Sequence, residues 1–373
     1  MPVTVAASAA RTCLGDDAAT FAALLRGECG VTDLRYFRAG ALNVRRGYHI
    51  AGPRPERPGM AGRWLAGCVT EAVSRARLEP GCRVAAIIGT GLGGLRDVER
   101  WAADGQPTRP DQLHFAAAIR AAAPFARTAI TISNACSAGG YALALGQDLV
   151  ELGDADAVIV AGADSMTESM LAMIGRFDAE PTDRIRPFDS GRAGALLGEG
   201  AAAVVLVREG AAAAPALARL LGCGLSCDAR YETAPDLAGV CRAMRDALDR
   251  AGRSPADVDL VLAHGTGTRL NDPTEAAALR EIFAGQRPGP LVTAVKGAVG
   301  HTSGASALTS LTLGLHSLRS GMVPAIVGLS EPLAEGAGLR FVRGAPRRSR
   351  PRLMQVNAFG FGGVNAVAML EAA

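Results

Sequence analysis

Short apolar runs recur along the chain, each followed by a glycine or a polar residue, and they predict β-strands. Their continuous or alternating valine, isoleucine, leucine and alanine is typical of strands in a sheet covered on one or both faces. The predicted strands occupy residues 2–7, 83–88, 130–132, 155–163, 201–207, 217–227, 260–263, 291–295, 354–356 and 366–370.

Segments with apolar residues at helical spacing lie between these strands. The predicted helices span residues 18–26, 61–77, 137–146, 236–251, 274–283 and 305–318. Asp16 or Asp17 is positioned to cap the first of them. The helices at 137–146 and 305–318 are rich in small residues, so neighbouring elements can pack against them closely. Strands that alternate with helices indicate an α/β fold.

A low-complexity segment, EGAAAAP at residues 209–215, separates two halves with the same pattern. The chain has 373 residues, which is more than one ordinary hydrophobic core holds. We predict a duplicated α/β unit, residues 1–210 and 211–373, with helices sandwiched between two sheets.

Cys136 lies in the sequence ITISNACSAGG, which reads as a buried strand, a sharp turn and a helix. A thiol at a helix N-terminus is next to free backbone N–H groups and the positive end of the helix dipole, which favour a thiolate and an adjacent oxyanion. The alternative is a small buried side chain with no chemical role, which is the usual fate of a free cysteine.

Composition excludes several classes of protein. The net charge is +3 and 20% of residues are charged, so no polyelectrolyte surface for nucleic acid is expected. The N-terminus does not resemble a signal peptide and no apolar run is long enough to span a membrane, so we expect a cytoplasmic protein. The eight cysteines fit reduced thiols. Cys223 and Cys227 have a possible metal-ligand spacing, but without a second pair we expect strand packing and no metal.

The run GTGLGG at residues 89–94 follows a strand and matches a dinucleotide-binding fingerprint. Such a site needs an acidic residue at the end of the next strand, about 20 residues further on. That region instead contains His114, Phe115 and an alanine-rich helix, so we do not expect a nucleotide cofactor.

Two histidines and a lysine stand where second-half strands end. His264 begins HGTGT, and Lys296 and His301 begin and end KGAVGH. A single strand-end histidine is more often structural. Together with Cys136, however, these residues should meet at the edge where open α/β sheets bind ligands.

These motifs resemble those of the β-ketoacyl-(acyl-carrier-protein) synthases, the elongating Cys-His-His condensing enzymes of the thiolase fold found in fatty-acid and type II polyketide assembly. The similarity runs through IIGTGLGG, SNACSAG, RPFD, GEGA, AHGTGT with Asp272, KGAVGH and NAFGFGGVNA. Starter-unit synthases have asparagine where this chain has His301, and thiolases have a second cysteine near the C-terminus. The resemblance implies thiolase-like βαβα halves forming a layered α-β-α-β-α sandwich.

The resemblance also implies roles for the site residues. Cys136 would carry the acyl group, with an oxyanion hole from the backbone N–H groups of Cys136 and Phe361. His264 and His301 would stabilise the enolate formed when malonyl-carrier loses CO2, and Lys296 belongs to the same site. The pantetheine arm and acyl chain would contact the set Thr266, Thr268, Phe359 and Phe361, with Phe361 acting as a gate. No cofactor is implied, because phosphopantetheine arrives on the carrier protein.

Some positions depart from the family pattern. Ser310 replaces the glutamate that usually pairs with the lysine, so Lys296 has lost its expected partner. The usual Arg-Asp-Gly-Phe after RPFD reads Arg-Ala-Gly-Ala at residues 192–195. The chain is also shorter than usual at 40–65 and 105–130, where the family builds its cap, pocket wall and part of the dimer contact. We expect a more open pocket, or one completed by a partner subunit.

We therefore expect a ketosynthase that lengthens a carrier-bound acyl chain in a specialised pathway. Its partners would be an acyl carrier protein and a second subunit, in a homodimer or a heterodimer. Two alternatives stay open: a non-elongating acyltransferase or thioester hydrolase, and a non-catalytic subunit resembling a chain-length factor.

Overall fold

The computed structural model describes residues 2–37, 40, 42–52, 59–105, 107–109, 113–176 and 180–373. Its helices are α1 (Asp17–Leu25), α2 (Met60–Ala76), α3 (Leu95–Asp104), α4 (Ala116–Ala122), α5 (Ala138–Glu151), α6 (Glu168–Ile174), α7 (Leu237–Ala251), α8 (Asn271–Ile282), α9 (Lys296–Val299) and α10 (Ser306–Ser320). Its strands are β1 (Val3–Thr12), β2 (Gly15–Asp16), β3 (Thr32–Asp33), β4 (Arg46–Gly47), β5 (Val84–Gly89), β6 (Thr128–Ile132), β7 (Ala157–Asp164), β8 (Gly200–Arg208), β9 (Ala218–Cys227), β10 (Leu260–Leu262), β11 (Leu291–Thr293), β12 (Met322–Val323), β13 (Arg340–Phe341), β14 (Arg347–Arg348), β15 (Leu353–Gly360) and β16 (Val364–Ala372).

The two halves share one strand topology. The first half has the order β1-β8-β7-β5-β6 and the second has β9-β16-β15-β10-β11, with β13 added at its edge. In each half the second strand is antiparallel to both neighbours, and the next three strands are parallel. The predicted duplication is therefore confirmed.

The two half-sheets are joined, which the sequence did not reveal. Strands β1 and β9 pair antiparallel through Val3–Leu220, Thr4–Arg219 and Val5–Ala218, so one 12-stranded sheet runs through both halves. Helices α5 and α10 contact strands of both halves, whereas α2 packs on the first half and α7 on the second. The layers follow the α-β-α-β-α order that the family resemblance implied.

Small residues let the central helices approach other backbones. A Cβ added to Gly139 would lie 2.7 Å from the carbonyl oxygen of Gly304, and one added to Gly140 would lie 2.6 Å from the Ala366 Cβ. Both distances are shorter than real carbon contacts. The glycines of α5 are thus required by packing in the central layer.

Strand β6, which leads to Cys136, is not buried as we predicted. Within the described ranges it pairs only with β5, at the sheet edge, and Ile130 is 41% exposed. A short apolar run has the same pattern in a covered strand and in an uncovered edge strand, so its sequence could not separate the two.

Helix caps explain where several elements begin. The side chain of Asp16 accepts a hydrogen bond from the Ala19 N–H at 2.8 Å, so Asp16, not Asp17, caps α1. Asp236 caps α7 in the same way. Among the described residues, none of the helices combines the length and apolar character needed to cross a bilayer.

Candidate active site

Cys136 lies in a tight turn between β6 and α5, as predicted. The 3₁₀ turn Ala135–Ser137 begins with Ala135 at φ +47°, a left-handed conformation that is strained for alanine. The Ser137 hydroxyl donates to the Asn134 carbonyl at 2.9 Å and supports the turn. The thiol is thereby held at the start of the central helix.

The resting thiol is not a thiolate. Burial raises the pKa of Cys136 to about 11, although the Lys296 charge and the Phe361 backbone N–H act in the opposite direction. The backbone N–H groups of Cys136 and Phe361 do favour the thiolate, as predicted, but burial outweighs them. The free energy that the sulfur anion loses with its hydration is larger than the stabilisation it gains from the helix dipole and the Lys296 ammonium.

The β15–β16 hairpin reaches the thiol turn. The backbone N–H of Phe361 hydrogen-bonds to the Cys136 sulfur. A Cβ on Gly360 would lie 3.2 Å from the Cys136 nitrogen, so the two backbones are in contact. The structure thus brings together the two segments whose N–H groups were predicted to form an oxyanion hole.

Two carboxylates on α8 hold the backbone after β10. Glu275 accepts from the N–H groups of His264 and Gly265, both at 2.8 Å, and from the Asn357 side chain at 2.9 Å. Asp272 accepts from the N–H groups of the following residues of HGTGT, at 3.0 and 3.1 Å. Glu275 was not among the site residues predicted from the sequence. The sequence feature that could have identified Glu275 is its position three residues after Asp272, because that spacing places both carboxylates on one face of a helix.

Lys296 has a partner that the sequence did not reveal. Its ammonium lies 3.2 Å from His264 Nδ1 and donates to the His264 carbonyl oxygen. Burial lowers the pKa of Lys296 to about 8, and the negative charge of Glu275 limits that fall. Ser310 supplies no carboxylate to replace the usual glutamate, and Lys296 instead binds His264 next to the buried carboxylate of Glu275.

Both histidines are neutral and share one tautomer. The Ser303 N–H donates to His301 Nδ1 at 3.2 Å, and Lys296 donates to His264 Nδ1, so each ring carries its proton on Nε2. Burial holds the pKa of each imidazole well below its usual range, and the Lys296 charge adds to the effect. The ring centroids are 5.4 Å apart at an angle of 82°.

The predicted pantetheine contacts lie around His264. The Thr266 and Thr268 hydroxyls are 2.9 Å apart, and Thr266 donates to Asp272 at 3.3 Å. Phe359 is 4% exposed, with its ring centroid 5.6 Å from that of His264, whereas Phe361 is 39% exposed in the hairpin loop. Phe359 packs against the imidazole, and Phe361 is the aromatic residue open to an incoming substrate.

The GTGLGG loop binds a carboxylate of this chain. The N–H groups of Gly91 and Leu92 donate to Asp164 at 2.8 and 2.9 Å. These amides are therefore occupied, although helix α3 does begin directly after the loop. Cys223 and Cys227 both lie in β9, four residues apart, which puts them roughly 13 Å apart along an extended strand. That separation prevents a shared metal.

A cavity of about 290 Å³ lies beside this site. Its wall includes Phe37, His49, Met60, Phe115 and Glu199. Parts of the two shortened segments border this region, but residues 53–58 and 110–112 lie outside the described residues. Gly93 and Gly94 line the cavity, and Gly91 of the same GTGLGG loop packs against the thiol turn.

Comparisons with known proteins agree with this geometry. The family model for the β-ketoacyl synthase N-terminal domain matches residues 1–212, and the model for the C-terminal domain matches residues 217–330. The chain is 34% identical to nodulation protein E of Rhizobium meliloti over 240 residues, which is 63% of this chain and 60% of that protein. It is 34% identical to 3-oxoacyl-[acyl-carrier-protein] synthase 2 of Coxiella burnetii over 256 residues, 65% of this chain and 61% of that protein. The chain thus spans about three fifths of the length of these relatives.

Solved structures extend the similarity to the whole chain. The ishigamide ketosynthase/chain length factor superposes with a TM-score of 0.89 at 28% identity, covering 100% of this chain and 99% of that one. A type II polyketide synthase acyl-carrier protein in complex with its ketosynthase, AntDE:AntF, gives a TM-score of 0.90 at 19% identity over 100% of this chain and 99% of that one, which supports the fold alone. The chain belongs to the β-ketoacyl synthase family.

Proposed function

We propose that this protein is a ketosynthase that condenses a malonyl-carrier unit with an acyl group held on Cys136. One observation carries the proposal. Two buried neutral imidazoles, both protonated on Nε2, lie in the same site as a thiol whose sulfur accepts the Phe361 N–H. Two fixed N–H donors suit a reaction that develops negative charge on a thioester oxygen.

The first half-reaction would transfer the acyl group. The Cys136 sulfur attacks the acyl-carrier thioester carbonyl, and the carbonyl oxygen becomes negative near the N–H groups of Cys136 and Phe361. The bond to the pantetheine sulfur then breaks, and the thiol proton passes to that departing sulfur. Because the pKa of Cys136 is about 11, the proton leaves as the new bond forms rather than beforehand.

The second half-reaction would form the carbon–carbon bond. The malonyl carboxylate leaves as CO2, and its bonding electrons create an enolate whose oxygen accepts from His264 and His301 Nε2–H. The enolate carbon attacks the acyl carbonyl, the bond to Cys136 breaks, and the sulfur takes up one proton. Neutral imidazoles in a buried site stabilise this enolate without competition from water.

The pantetheine arm would bind beside His264. Thr266 donates to Asp272, and the Thr268 hydroxyl also accepts from the Asn271 N–H. When Thr268 donates to Thr266, both hydroxyl protons are used. The two hydroxyls then offer lone pairs to amide N–H groups, which pantetheine has. Phe361, in the glycine-rich loop, would gate the entrance.

An acyl carrier protein and a second subunit are the proposed partners. One structural neighbour is an acyl-carrier protein in complex with its ketosynthase, and another is a ketosynthase/chain length factor. In the described part of this chain β6 is an edge strand, its side chain Ile130 is exposed, and Phe125, in the segment just before it, is exposed as well. A strand paired to this edge would cover Ile130. No cofactor of the protein's own is proposed.

The cavity of about 290 Å³ is the proposed space for the acyl chain. Gly91 packs against the Ala135–Ser137 turn, and Gly93, two residues further along the same loop, lines the cavity, so the cavity begins close to the thiol turn. The volume is at the small end of ligand pockets and favours short to medium chains. Ala118→Trp, in the cavity wall, should shorten the longest chain that loads onto Cys136. Acetyl loading should not change, and an equal loss of acetyl loading would refute this assignment.

The direct test is to incubate the protein with acyl-carrier and malonyl-carrier and to measure CO2 release, product mass and the mass of the protein. We expect a β-ketoacyl product and an acyl adduct that is absent in Cys136→Ala but present in Cys227→Ala, an exposed cysteine on β9. His301→Ala should retain the adduct while CO2 release falls roughly 100-fold or more.

The same experiment separates the alternatives. An adduct that forms and is transferred or hydrolysed, with no CO2 from any malonyl-carrier, would show a non-elongating acyltransferase or hydrolase. Failure of Cys136 to take up either acyl groups or iodoacetamide would indicate a non-catalytic subunit. Either result would overturn the proposed condensation.

A further inference from the structure

Asp164 is a buried carboxylate that binds two separate segments of the site. It ends β7, is 1% exposed, and accepts from the Thr90 hydroxyl at 2.6 Å and from the N–H groups of Gly91 and Leu92. It also accepts from the Gly304 N–H at 2.7 Å. The first three donors belong to the first half of the chain and the fourth to the second half, so one side chain joins the halves at the site.

The two segments joined by Asp164 are in backbone contact. A Cβ on Gly304 would lie 2.5 Å from the Thr90 carbonyl carbon and from the Gly91 nitrogen. No side chain fits between them. The carboxylate therefore sets the position of the Ser303–Ala305 turn relative to the GTGLGG loop, within a few tenths of an ångström.

That turn determines the tautomer of His301. Ser303 has φ +47°, a left-handed conformation that costs free energy for serine, and its N–H donates to His301 Nδ1. The next N–H, that of Gly304, is the one that Asp164 accepts. Without Asp164, the hydrogen bond to the Gly304 N–H is lost, and nothing in this contact then keeps Ser303 from leaving its strained left-handed conformation. The Ser303 N–H can then move away from the imidazole.

We propose that Asp164 is a positioning residue for His301: by holding the Gly304 N–H it fixes the Ser303–Ala305 turn and keeps the imidazole proton on Nε2. This inference rests on the proposed function only for its kinetic consequence. The enolate step uses the Nε2–H of His301, whereas acyl transfer to Cys136 does not. Asp164 should therefore affect the two half-reactions unequally.

The test is Asp164→Asn, compared with Asp259→Asn. Asp259 also accepts two backbone N–H groups, those of Arg352 and Leu353, but lies at the opposite end of the strands. We expect acyl loading of Cys136 in Asp164→Asn to stay within about threefold of wild type, while CO2 release falls about tenfold or more. In the ¹⁵N spectrum of labelled histidine, the His301 signals should move from a single Nε2–H tautomer toward a mixture. Asp259→Asn should change neither.

The spectrum does not depend on turnover, so it separates the two proposals. Wild-type protein that releases no CO2 would refute the ketosynthase function, while a tautomer change in Asp164→Asn would still support the positioning role. Equal losses of loading and CO2 release with an unchanged His301 spectrum would overturn it. If Asp164→Asn does not fold, the His301 spectrum of Thr90→Val provides the test instead. This variant removes one hydrogen bond to Asp164 and must shift the His301 signals in the same direction, and unchanged signals would refute the proposal.

Discussion

Lys296 is the residue whose titration should control the site near neutral pH. Its pKa is lowered to about 8, and as an ammonium it donates strongly both to His264 Nδ1 and to the His264 carbonyl. Both imidazoles stay neutral far below pH 6.5 because burial lowers the pKa of each. The charge state of one ammonium therefore governs the tautomer of a neighbouring ring.

The rate of CO2 release from malonyl-carrier should accordingly fall on the alkaline side. As pH rises through about 8, Lys296 loses its proton and its hold on His264 Nδ1 weakens. On the acid side the first of these groups to titrate is Asp164, because burial raises its pKa to about 6, so a fall in rate near that pH belongs to the carboxylate and not to the histidines. Lys296→Met should lower the rate throughout and remove the alkaline limb. An alkaline limb that persists in Lys296→Met would contradict the assignment to Lys296.

At the residue scale the sequence predicted which side chains meet at one end of the sheet and missed how they ionise. Cys136, His264, His301 and Lys296 were all identifiable from strand-end positions and motif similarity. The protonated thiol and the Lys296–His264 contact were not, because both depend on burial and on distances between segments far apart in the chain.

At the element scale, helix α8 supports the site through two buried carboxylates. Glu275 and Asp272 together accept the backbone N–H groups of HGTGT, so the helix sets where His264 lies. Glu275 also raises the pKa of Lys296 toward its usual value. The helix thus has both a structural and an electrostatic effect on one histidine.

Glu275→Gln should therefore have two measurable effects. Loss of the carboxylate that accepts two backbone N–H groups should lower the free energy of unfolding by about 2–3 kcal/mol, measured by urea denaturation. Loss of its negative charge should lower the pKa of Lys296 further, which moves the alkaline limb of CO2 release to lower pH. Glu281→Gln, on the exposed face of the same helix, is the control and should leave the limb in place. An unmoved limb in Glu275→Gln would show that Lys296 does not respond to this carboxylate.

Hydrophobic patterning was sufficient to find the longer strands and most of the long helices, because they bury one or both faces in a continuous core. It failed for α3, whose residues are not buried, and for the environment of β6. Covering of an edge strand is a property of the neighbouring elements and not of the strand's own residues.

At the scale of the whole molecule, the open β6 edge predicts self-association. A strand edge with unpaired backbone groups beside exposed aromatic and aliphatic side chains is a pairing surface. We expect the purified protein to sediment as a dimer at micromolar concentration. Ile130→Lys should shift it toward monomer, because a lysine desolvated in a paired edge is unfavourable. Leu152→Lys, at a residue 76% exposed after α5, should have no effect. Purely monomeric protein at every concentration would instead favour a requirement for a different partner chain.

The duplication was visible in the sequence as a repeated alternation of strands and helices, but the pairing of β1 with β9 was not. Pairing across three residues is too short to leave a pattern of its own in either strand. The position of the interdomain boundary at residues 210 and 211 stays a prediction, and it falls between β8 and β9.

The left-handed turn at Ala135 has a counterpart at Ser303, each with φ +47° and each directly preceding a central helix. The first turn presents the Cys136 sulfur, whereas the second has Gly304 at the matching position and offers only a backbone N–H, which Asp164 accepts. Substitutions at the Ser303–Ala305 turn could therefore alter the reactivity of the site without any change to Cys136 or to the residues that flank it.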